Sequence, residues 1–102
     1  VKLRWSLEAR VDLLEIGDFI APDSPTAARI FLDALRRRAR QAAAHPLSGR
    51  MVPELNDAAL RELIHGNYRI IYSVRGSTVI VLVVREAHRR LPADLAPQRD
   101  ET

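Results

Sequence analysis

Residues 78–85 read Thr-Val-Ile-Val-Leu-Val-Val-Arg. A run this continuously apolar and β-branched is a strand, and it must lie inside a sheet with at least one face covered. The segments before it also read with a period of two. Residues 59–64 suit a strand, His65-Gly66-Asn67 a turn, and 68–74 a second strand. Arg75-Gly76-Ser77 is a hairpin connection in which Gly76 supplies a positive φ. Three antiparallel strands therefore close the domain.

The first half of the chain has a helical period instead. Leu3-Arg4-Trp5 reads as a short strand, and Ser6 then caps a helix that runs to about Ala21. Ala9, Leu13, Ile16 and Ile20 form its buried stripe, with Phe19 beside them. Gly17 either weakens this helix or permits a close helix contact. Pro22-Asp23-Ser24-Pro25 breaks the chain, with Ser24 as N-cap and Pro25 opening a second helix to about Ala44. Ala28, Phe31, Leu32, Leu35, Ala39 and Ala42 make its inner face. A turn at 45–50 and a loop to about residue 58 follow. The expected fold is α+β: an N-terminal strand, a two-helix antiparallel hairpin, then three antiparallel strands, with both helices on one face of a sheet of about four strands.

Composition bounds the rest. A chain of 102 residues, 47% apolar and 28% charged, is one globular domain. Residues 1–91 form it, and the charged, proline-containing segment 92–102 is expected to be a flexible tail. Cysteine is absent, which excludes disulfides, thiolate metal sites and a cysteine nucleophile. No apolar run approaches the roughly 20 residues that span a bilayer, and residues 1–5 carry no signal-peptide core. No membrane association and a cytoplasmic location are expected.

The charges are unevenly placed. Of the 16 basic residues 15 are arginine, which suits an acidic partner or reflects the coding bias of a genome. Residues 6–23 hold one arginine against five acids; residues 24–50 hold six arginines against one acid. A hairpin sets these opposite charges side by side, where they are expected to pair. Acids on the first helix, such as Asp12 and Glu15, are expected to be solvated.

Few enzyme constellations are present. No glycine-rich loop opens a helix, and His45, His65 and His88 lack metal-ligand spacing, so no metal and no cofactor are expected. The best cluster is basic. Arg69 lies mid-strand, Arg85 ends the last strand, and His88-Arg89-Arg90 follow. Adjacent strands could gather these five into a phosphate- or partner-binding site, with His88 able to move a proton. The bland alternative has Arg69 paired with Glu62 across the sheet and His88-Arg89-Arg90 solvated. Tyr68, Ile70, Tyr72 and Val74 share the strand face expected to meet the helices. Arg69, Ile71, Ser73 and Arg75 share the other, expected to be open to a partner. On the first helix, Leu7, Val11 and Leu14 fall off the buried stripe and could receive an amphipathic partner helix, or pack on the second helix or the tail.

The chain resembles a known family in the order and spacing of several pieces. These are Ala9 with Asp12-Leu13 and Glu15-Ile16, then Ile20; Ser24-Pro25 with Ala27-Ala28 and Phe31; and His45-Pro46 with Gly49-Arg50. Val52-Pro53-Glu54-Leu55, Leu60-Arg61-Glu62-Leu63, Tyr68-Arg69-Ile70-Ile71-Tyr72 and His88-Arg89-Arg90 complete them. Across residues 2–91 they look like a type II toxin of the RelE/ParE superfamily, on the ParE side. The resemblance implies a non-enzymatic inhibitor of DNA gyrase, held in a hetero-oligomer by a ParD-like antitoxin, with no sequence-specific DNA binding by this chain alone. It also implies two alternatives: a RelE-like, ribosome-dependent mRNA endoribonuclease using Arg69, His88 and Arg89, or a non-toxic, antitoxin-binding co-repressor. Against the ribonuclease, Leu60 and Glu62 stand where RelE carries lysines, and no tyrosine follows Tyr72.

Overall fold

The computed structural model describes residues 2–92 and 95. Strand β1 (Lys2–Trp5) leads into α1 (Leu7–Ile20) and α2 (Pro25–Ala44). A single 3-10 turn (Pro46–Ser48) precedes β2 (Arg50–Met51), β3 (Leu60–His65), β4 (Tyr68–Arg75) and β5 (Thr78–Glu86). The expected α+β order holds. Among the described residues the sheet has five strands rather than about four, in the order β1-β5-β4-β3-β2. The addition is β2, two residues where the expected turn meets the expected loop, which pair antiparallel with Arg61 and Glu62. Two residues are too few to show a period. The segment 92–102 expected to be a flexible tail lies, apart from Pro92 and Leu95, outside the described residues.

Both helices begin as their cap residues dictate. Ser6 Oγ accepts from Ala9 N–H, and Ser24 Oγ accepts from Ala27 N–H. Ser6 also donates to the Leu82 carbonyl at 2.7 Å, which ties the start of α1 to β5. The helices cross closely at Gly17, where an added Cβ would lie 3.1 Å from Leu32 Cδ1. Close helix contact is thus the role of this glycine.

One core fills the space between hairpin and sheet. Ala9, Leu13 and Ile16 of α1 and Leu35, Ala39 and Ala42 of α2 pack on Ile70, Tyr72, Val79, Val81 and Val84. The helix-facing side of β4 is the expected one. The other side is not open. Ile71, Ile80, Leu82 and Val83 form a second core with Val52, Leu60 and Leu91, joined by Leu55 and Leu95. The physical reason is β5: its apolar run supplies side chains to both faces, and the far set is too greasy to leave in water. The segment after β2 and the chain after β5 therefore fold across it. A register shift between Ile71 and Tyr72, which pair with Val83 and Val81, explains why β5 does not alternate cleanly.

Candidate functional site

The residues expected to form a basic site fall in three separate places. Arg69 and Arg85 are register partners on β4 and β5, yet their guanidiniums are taken by different carboxylates. Arg69 is only 7% exposed at its side chain. Its Nε donates to Glu62 Oε1 at 2.6 Å, and its two Nη groups grip both oxygens of Glu54 at 2.8 Å. Glu62, fully buried, also accepts from Arg50 Nε. Two guanidiniums and two carboxylates thus form a neutral chain, Arg50–Glu62–Arg69–Glu54, around the buried Glu62 and Arg69, the arrangement a buried charge requires.

The network sets the acidity of its members. Glu54 is lowered to about 2, chiefly by its hydrogen bonds from Arg69, with burial opposing. Arg69 is held further above its ordinary value by the Glu54 hydrogen bond, with burial opposing and Glu62 assisting.

Arg85 serves a different joint. Burial works against its charge, but the Asp12 hydrogen bond and the Asp12 and Glu8 charges prevail, so its pKa is raised. Asp12 Oδ2 accepts from both Val84 N–H and Arg85 Nε, and Glu8 accepts from Arg85 Nη2. Asp12 is therefore buried, not solvated as its sequence neighbourhood suggests; Glu15 is exposed. The joint also corrects the expectation of cross-hairpin pairing. Glu8 and Asp12 of α1 turn to β5, while Arg36 of α2 bonds Asp33 on its own helix.

The remaining candidates stay in solvent. His88, Arg89 and Arg90 are exposed on the turn after β5. Arg89 helps line a shallow cleft of about 130 Å³ with Glu86, Tyr68 and Phe19, so this end of the sheet faces the end of α1. Burial and the neighbouring Glu86 raise the Tyr68 phenol. The five candidates do not converge on one pocket.

Tyr72 is a structural hub that no local sequence rule marks. Its hydroxyl donates to the Pro46 carbonyl at 2.8 Å and accepts from Gly49 N–H at 3.1 Å. Gly49 is required there, because an added Cβ would lie 2.3 Å from Tyr72 Oη and 2.7 Å from the Glu62 carbonyl oxygen. Burial raises the Tyr72 phenol. The sequence cue is the glycine of His45-Pro46-x-x-Gly49, but its partner lies 23 residues away.

The second candidate surface is the hairpin. Leu7 is 76% exposed, Val11 44% and Leu14 68%, so among the described residues neither α2 nor the sheet covers them. Beside them runs a groove of about 350 Å³ lined by Trp5, Leu13, Leu14 and Leu32, with Arg10 and Arg36 on it. Its chemistry is an apolar floor with a cationic rim.

Residues 3–91 match the family model described as the ParE toxin of type II toxin-antitoxin system, parDE. No curated protein sequence matches the chain. Among solved structures, a chain of the chromosomal ParDE TA system from P. aeruginosa superposes with a TM-score of 0.69 at 18% sequence identity. The match covers 84% of this chain and 95% of that one, a likeness of fold.

Proposed function

The chain belongs to the ParE toxin family of type II toxin–antitoxin systems, and from that premise we propose that it is a non-enzymatic toxin that inhibits DNA gyrase and is neutralised by a ParD-like antitoxin. One observation weighs most against the ribonuclease alternative: Arg69 is buried and held by two carboxylates. A phosphate arriving there would have to displace Glu54 and would meet Glu62, a charge of its own sign. His88 and Arg89 alone are the exposed remainder of the ribonuclease set.

In this reading His88, Arg89 and Arg90 are the basic group available to the target, while Arg69 and Arg85 hold the scaffold that presents them. The antitoxin lays an amphipathic segment along Leu7, Val11 and Leu14, the apolar stripe left uncovered on α1. The deciding experiment runs a gyrase supercoiling assay beside a translation assay. Supercoiling should fail at saturating toxin while the mRNA stays intact. Normal supercoiling overturns the proposal. Cleaved mRNA points to the ribonuclease, and absent toxicity with antitoxin binding retained points to a co-repressor.

A further inference from the structure

The exposed stripe on α1 has a second property, independent of the antitoxin reading. Leu7, Val11, Leu14 and Asp18 are spaced four, three and four residues apart, the alternation of d and a positions in a heptad. Leucine then occupies both d positions, with β-branched Val11 at a. In a parallel coiled coil that choice favours two strands. Asp18 is the polar residue at the next a position.

The charges beside the stripe choose an orientation. Arg10 falls at g, on the side of the groove that also carries Arg36. Glu8 and Glu15 fall at e, on the opposite side, where Glu8 reaches Arg85. A two-fold axis running along the helices sets the basic flank of one copy against the acidic flank of the other. The g-to-e′ step of five residues then brings Arg10 to Glu15 of the second copy, twice by symmetry. An antiparallel two-fold would set Arg10 against Arg10 and the glutamates against each other, which is repulsive. The helix is already formed and held by the fold, so association does not have to nucleate it.

We propose that a second copy of this chain docks on the α1 stripe, forming a parallel homodimer through Leu7, Val11 and Leu14 with Arg10–Glu15 pairs across the interface. The stripe is short, two heptads ending on a facing pair of Asp18 carboxylates, so the dimer is concentration-dependent. An antitoxin segment on the same stripe would exclude it.

Sedimentation equilibrium of the full chain, free of any partner, tests this. The mass should rise with concentration from 11.5 kDa toward twice that value. Leu14→Asp should abolish the rise. Arg10→Glu and Glu15→Arg should each weaken association at least tenfold, and the double exchange should restore it. Asp18→Ile should strengthen it. All four sites are exposed, so circular dichroism should show each variant folded. Orientation is read separately. The chain has no cysteine of its own, so Leu7→Cys alone should form a disulfide-linked dimer under oxidation in the parallel arrangement. An antiparallel one sets the two Leu7 positions toward opposite ends of the helix pair and leaves that variant uncrosslinked. A monomer at every concentration overturns the proposal. So does a dimer indifferent to Leu14→Asp, or a folded double exchange that fails to recover.

Discussion

At the scale of single residues, the tightest demands surround Tyr72 and Arg69. Gly49→Ala would drive a methyl into Tyr72 Oη and the Glu62 carbonyl, both too close to yield without moving the sheet. It should cost about 1–3 kcal/mol, the usual range for overpacking, read from the urea midpoint. Tyr72→Phe removes the donor to Pro46 O and the acceptor for Gly49 N–H, and should cost about 1–2 kcal/mol. Arg69→Met would strand Glu62, a fully buried carboxylate, with Arg50 its one remaining charged partner among the described residues. A loss of about 3–5 kcal/mol is expected. Glu54 adds a pH dependence. Its folded value of about 2 lies below the ordinary 4.5, so its contribution is complete above pH 4.5 and lost as the pH falls toward 2. In Glu54→Gln the slope of stability against pH across that window should flatten.

At the scale of elements, the junction of α1 with β5 is the joint to test. Ser6 both caps α1 and donates to the Leu82 carbonyl, and six residues later Asp12 accepts from Val84 N–H. The first turns of the helix thus serve β5 backbone at 82–84, beyond the stretch of β5 that pairs with β1. Ser6→Ala should cost about 1–2 kcal/mol for the lost cap. Asp12→Ala should cost more, because it leaves Val84 N–H without its acceptor and removes the partner of Arg85 Nε. Hydrogen exchange should show the difference locally, with the Val84 amide losing protection in Asp12→Ala.

At the scale of the whole molecule, two kinds of surface stand apart in chemistry. The hairpin exposes an apolar stripe beside a cation-rimmed groove, and the turn after β5 exposes His88, Arg89 and Arg90. The proposed function assigns antitoxin to the first and target to the second, so the two should be separable by mutation. Val11→Asp should weaken antitoxin binding at least tenfold, measured by calorimetry, with the circular dichroism of the folded chain unchanged. Replacing His88, Arg89 and Arg90 together by alanine should abolish gyrase inhibition while antitoxin affinity is kept. Loss of both functions in either variant would show that the surfaces are one.

Much of this architecture is legible in the sequence. The caps at Ser6 and Ser24, the break at 22–25, the inner faces of both helices and the helix-facing side of β4 depend on local rules. Cap chemistry, proline geometry and side-chain period act over a few residues and are written into the chain. Tertiary structure decided what depends on distant partners. Whether the Arg69 face was open turned on Val52, Leu55 and Leu91 crossing it. Whether Asp12 was solvated turned on a β5 amide 72 residues away. Nor did period mark the two residues of β2, which exist as a strand because β3 offers them an edge. A buried charge is tolerable only beside its partners, and those partners meet only when the sheet has closed.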